Sequence, residues 1–166
     1  MVSMGSLFSR QPAPLLGVDI SSSSVKLVEL GRDKGGALVL ECCAIEQLER
    51  GWITDGNIEK FDEVAEALRR VVKRSGTKTK NVALALPPSA VITKRISLPG
   101  GMTEQELEVQ VESEANQYIP FSLDEVSLDF CVVGPSKNAS GDVDVLIAAS
   151  RKERVQDRQG LAEAAG

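Results

Sequence analysis

Two consecutive prolines, Pro87 and Pro88, stand directly after Asn81-Val82-Ala83-Leu84-Ala85-Leu86, a short apolar run of the buried-strand type. Neither proline has a backbone N–H to donate and each has its φ fixed by the ring, so no strand or helix runs on through the pair. Whatever begins after Pro88 is a new unit. The whole chain has 166 residues, about one domain by the usual length prior, so the break divides a modest chain and leaves no room for two full lobes. With 42% hydrophobic and 26% charged residues, the composition is that of a soluble globular protein that needs no disulfide or metal to hold its core.

Before the break the pattern begins with strands. Pro12 and Pro14 separate a loose terminus from Leu15-Leu16-Gly17-Val18-Asp19-Ile20, four serines make a turn, and Val25 to Leu30 and Ala37 to Ile45 continue as an antiparallel meander. From Asn57, the expected cap, Ile58, Phe61, Val64, Leu68 and Val71 recur at helical spacing, and Arg69, Arg70, Lys73 and Arg74 sit at the end of the helix where its dipole favours cations. Gly76 stops it. After the break, Ala90 to Leu98 reads as a strand, and Thr103 with Glu106 forms a capping box for a helix ended by Pro120. Val126 to Val133 and Asp142 to Ala149 read as two further strands, and Ser150 with Glu153 as the cap of a final helix.

Composition excludes several chemistries. There are 24 acidic and 19 basic residues, a net charge of −5, which argues against a nucleic-acid backbone as the main partner. Histidine is absent, which removes Ser-His-Asp and Cys-His nucleophile systems and every histidine-containing zinc site. Cys42, Cys43 and Cys131 form neither a CxxC spacing nor an even disulfide set and read as reduced thiols of a cytosolic protein. No run approaches the 18 or so apolar residues of a membrane span. The glutamates Glu104, Glu106, Glu108, Glu112 and Glu114 read as the solvated face of a helix, and the cluster from Arg69 to Lys80, without interleaved aromatics, as helix-end charge.

One constellation suggests chemistry: Asp19 at a strand end, the turn Ser21, Ser22, Ser23 and Ser24, then Lys26. A carboxylate there can hold magnesium through water while turn amides, hydroxyls and a lysine take phosphate oxygens. A plain hairpin with a polar turn reads the same way, and no GxxxxGK[ST] accompanies it.

The segment Leu15 to Leu27, together with Glu114-Ala115-Asn116-Gln117-Tyr118-Ile119-Pro120-Phe121-Ser122-Leu123-Asp124-Glu125-Val126-Ser127-Leu128-Asp129-Phe130, resembles the PilM family of type IV pilus assembly proteins, actin-like relatives of FtsA. The resemblance runs in order from Leu15 to the end. It implies an α/β (α+β) fold, an actin-like, ribonuclease-H-like subdomain 1A formed by 15–87 plus 142–166, with an FtsA-type subdomain 1C inserted as 88–141 and a flexible 1–14. It also implies ATP with magnesium in the intact protein, contacted by Asp19 (the metal ligand), Ser21 to Ser24 and Lys26. Serine replaces the glycine and threonine usual at that turn. Family members continue into a second lobe, so this chain resembles an N-terminal portion holding half a cleft, expected to bind ATP weakly or not at all and to have no enzymatic activity.

The family's role implies a cytoplasmic adaptor in twitching motility, peripheral to the inner membrane, which captures the N-terminal tail of PilN and links it, indirectly with PilO, to the pilus motors. Val91, Thr93, Arg95, Ile96, Leu98, Tyr118, Ile119 and Phe121 are the residues expected to form the groove, the alternative being that they pack the core of the inserted unit. A filament-forming ATPase in the FtsA manner is the second reading.

Overall fold

The computed structural model describes residues 14–137 and 139–166, so all but the last residue of the expected loose terminus 1–14 lies outside the described residues. Three strands open the fold: β1 (Leu16–Ile20), β2 (Ser24–Arg32) and β3 (Leu38–Gln47), paired antiparallel as the meander pattern predicts. Alternation decides their faces. Leu16, Val18, Val25 and Leu27 are buried on one side, while Asp19, Lys26 and Val28 point to the other. β6 (Val82–Leu84) then adds parallel to β1, giving the order β3-β2-β1-β6.

Between β3 and the first helix lies a hairpin that strand periodicity does not reveal, β4 (Ile53–Thr54) with β5 (Asn57–Ile58). Two residues per strand are too few for a pattern, but Asp55-Gly56 is the sequence signal of a tight turn, and both residues have positive φ, 51° and 81°. Asn57 is therefore a strand residue. Helix α1 (Phe61–Ser75) starts after Lys60 without a side-chain cap, in place of the cap expected at Asn57. Val64, Ala65, Ala67, Leu68 and Val71 bury its inner face against the sheet. Gly76, in the left-handed region at φ 70°, ends it as expected.

After a 3-10 turn at Pro88–Ala90, a second sheet forms from β7 (Ile92–Pro99), β8 (Val126–Pro135) and β9 (Asp142–Arg151) in the order β7-β9-β8, all antiparallel. Helix α2 (Glu104–Tyr118) covers one face through Leu107, Val111 and Ala115, and its N-terminus carries the predicted capping box, with the Glu106 backbone N–H donating to Thr103 Oγ1 and the Thr103 backbone N–H to Glu106 Oε2.

This topology corrects the expected boundary at 142. Strand 142–151 does not return to the first unit: it is the central strand of the second sheet, with both edges bonded and Val145, Ile147 and Ala149 buried on its face. A strand paired on both sides has no edge left to give elsewhere. Only the last helix, α3 (Lys152–Ala165), crosses back, burying Leu161 in the first core, while Arg69 Nε donates to Ala164 O at 2.6 Å. The first unit is thus 15–87 with 152–166, and the second is 88–151. Nor does Ser150 cap α3, whose N-cap is Arg151 without a side-chain bond; the buried Ser150 hydroxyl donates instead to Ala90 O at 2.7 Å.

Polar contacts tie the C-terminal end of α1 and the segment after it to the sheet. Arg70 and Arg74 both pair with Glu46 on β3, at 2.8 and 2.7 Å, so the basic cluster is in part a staple as well as helix-end charge. On β2, Glu29 accepts from Thr77 Oγ1 at 2.6 Å and Thr79 Oγ1 at 2.5 Å, anchoring the segment that leads into β6.

Leu27 is fully buried, so Leu27→Ala should cost roughly 2–5 kcal/mol of stability in urea unfolding, the range for a buried leucine truncated to alanine. The Glu29 carboxyl is held below its ordinary value of 4.5, chiefly by Thr77 and then Thr79. Its contribution is complete above that value and is lost as pH falls through the lower folded-state value. Glu29→Gln should therefore lower the urea midpoint at neutral pH, with the gap to wild type closing as the buffer is taken through the acid range.

Candidate functional site

Two regions carry the residues that the sequence marks. In the first, β1 and β2 join through the serine turn. Asp19 and Lys26 face each other in register and pair at 2.8 Å, both about half exposed. The turn closes on itself: Ser21 N donates to Ser24 O at 3.0 Å, Ser21 Oγ donates to the same carbonyl at 3.1 Å, and Ser24 is buried. Ser22 and Ser23 are exposed at the tip, and Leu48 N donates to Ser23 O at 2.8 Å. The structure thus brings Asp19, the four serines and Lys26 to one sheet end. Lysine and carboxylate are already each other's partner, and no group of three or more acidic or cysteine side chains is assembled for a metal among the described residues.

In the second region, strand alternation separates residues that the sequence reading put together. Ile96 and Leu98 point under α2 and pack the second core, Leu98 being buried, so neither is available to a groove. Thr93 and Arg95, one position out of phase, lie on the opposite face of β7 and are exposed. Val91 is half-buried just before the strand. Tyr118 is exposed at the end of α2, with Lys94 Nζ 4.4 Å from its ring centroid. Ile119 and Phe121 are the two of the eight that line an open groove among the described residues.

That groove, about 380 Å³, runs along the junction of the two units. Ile92 and Val126 form its sheet wall, Ile119, Pro120 and Phe121 its second wall, and Ser89 and Ala90 one end. Arg151 and Arg154 close it where β9 passes into α3. Arg151 lies over Phe121, its guanidinium carbon 4.4 Å from the ring centroid, and pairs loosely with Glu153 at 3.3 Å. Sequence reading missed the arginines because they belong to a helix start far along the chain. Their signal was present, however, in Arg151-Lys152-Glu153-Arg154, which places two cations at helical spacing.

Two small units, one a mixed sheet backed by α1 and α3 and the other a three-stranded sheet under α2, define an actin-like architecture of the α+β class. The family described as type IV pilus assembly protein PilM matches residues 17–166, and the chain belongs to that family. Among solved structures, the chain superposes on one titled PilM-PilN type IV pilus biogenesis complex with a TM-score of 0.80 and 30% identity, over 92% of this chain and 44% of the other. It therefore spans less than half the length of that relative. A diol dehydratase-reactivating factor in nucleotide-free form aligns over 53% of this chain and 14% of its own with 21% identity, but the TM-score of 0.32 is too low to bear on the fold.

Proposed function

We propose that this chain is the part of a type IV pilus assembly protein that receives a partner's peptide tail, acting as an adaptor without catalysis of its own. The observation that carries the reading is the apolar groove at the junction of the two units, in a chain whose relative is a PilM solved together with PilN. An extended tail laid there would place alternate side chains against Ile92, Ile119, Phe121 and Val126 while its main chain runs past Ser89 and Ala90. The partner on this reading is the N-terminal cytoplasmic tail of PilN. No helix among the described residues is long and apolar enough to cross a membrane; on this reading the protein attaches to the membrane peripherally, through that tail on the cytoplasmic side. Coupling to PilO and to the pilus motors, in twitching motility, would follow from the same contact.

Nucleotide belongs to this reading as a ligand of the longer protein. The serine turn offers exposed Ser22 and Ser23 to phosphate oxygens, with Asp19 and Lys26 beside it. One wall of a cleft buries too little of a nucleotide to hold it, because association must first offset the lost freedom of the ligand.

Calorimetric titration of the 166-residue chain with a synthetic PilN tail, against a scrambled control, should give saturable binding at about micromolar affinity, the range for a short peptide ordered on binding. Absence of binding by a chain shown to be folded would overturn the reading. ATP with magnesium, titrated into the same chain, is expected to give no saturable heat; a binding isotherm would mean that the serine turn and its neighbours form a sufficient site.

A further inference from the structure

The groove has a charge as well as a shape. Of its two arginines, Arg151 is committed: it stacks on Phe121 and pairs with Glu153. Arg154, one turn further along α3 and half-buried on the groove wall, has no ion-pair or hydrogen-bond partner among the described residues. No carboxylate lines the groove, although the chain as a whole carries a net charge of −5. The next cation along the helix, Arg158, is buried and donates through Nη2 to Gly56 O at 3.0 Å. Burial makes it harder to keep protonated; the Asp157 carboxylate works against this and the neighbouring Arg154 adds to it. Arg154 is therefore an unpaired cation on the groove wall, among the described residues, with a second cation, Arg158, buried behind it.

We propose that Arg154 determines which peptide the groove accepts: an extended, mainly apolar segment bearing one acidic side chain, whose carboxylate takes the Arg154 guanidinium while its neighbours fill the pockets at Ile92, Ile119, Phe121 and Val126. A guanidinium presents a planar fork of donors that matches the two oxygens of a carboxylate, and in a half-buried groove the pair is screened less than on open surface. Apolar contacts supply most of the affinity. The charge pair sets the register and rejects segments that bring a lysine or arginine to the same place.

This inference rests on the groove being the tail-binding site, and the experiment separates the two. A fluorescein-labelled PilN tail is titrated by anisotropy into the full chain at low and high salt, for wild type, Arg154→Gln, Arg154→Lys and Phe121→Ala, each shown to be folded by circular dichroism. Arg154→Gln should weaken binding about tenfold or more and flatten the salt dependence, with partial recovery in Arg154→Lys. A tail with its acidic side chains replaced by amides should bind wild type as weakly as the native tail binds Arg154→Gln. Wild-type affinity for the amide tail, or an unchanged affinity and salt slope in Arg154→Gln, overturns the role of Arg154 while the tail-binding reading stands. Failure of wild type to bind the tail, or a Phe121→Ala variant that binds as wild type does, overturns the groove itself.

Discussion

The fold depends on α3 lying against α1. α3 is last in sequence and follows β9, a strand wholly committed to the second sheet, yet its Leu161 is fully buried in the first core. This crossing joins the two units. It is held by burial of apolar surface, by the bond from Arg69 to the Ala164 carbonyl at 2.6 Å, and by Arg158, which reaches from α3 to the β4-β5 turn at Gly56. That turn admits little else: a Cβ on Gly56 would stand 2.7 Å from Pro87, so the glycine, the first proline of the pair and the buried arginine are packed around one point.

The groove lies beside the same crossing. Its lining comes from the segment after the proline break, the end of α2, the start of β8 and the end of β9, held together by the second unit's own sheet and core, and α3 adds Arg154. Rigid elements thus set the spacing of Phe121 and Arg151, and the cation over the ring fixes the orientation of both. The serine turn, which follows β1, is a separate feature whose charges pair with each other across the β1-β2 ladder.

Strand alternation separates residues that lie together in the sequence. Ile96 and Leu98 alternate with Thr93, Arg95 and Ser97, so no single surface of the strand can present both sets, and Ile96 and Leu98 belong to the core under α2. The helices show the complementary limit. The Thr103 capping box was legible because its two partners are three residues apart, whereas Ser150 has the right type and spacing for a cap but a stronger claim from the Ala90 carbonyl, which is distant in sequence.

By itself the sequence determined what local chemistry controls. The meander, α1 ended by Gly76, the break at Pro87-Pro88, the capped α2 and the membership of an actin-like family follow from side-chain period, proline geometry and short-range capping, together with motifs that lie in contiguous runs. Tertiary structure alone decided that β9 is the centre of the second sheet, that α3 belongs to the first core, and that Phe121, Arg151 and Arg154 line one groove. Those placements depend on which strand edge or apolar face remains unpaired once the other elements have formed, and that is a property of the whole chain.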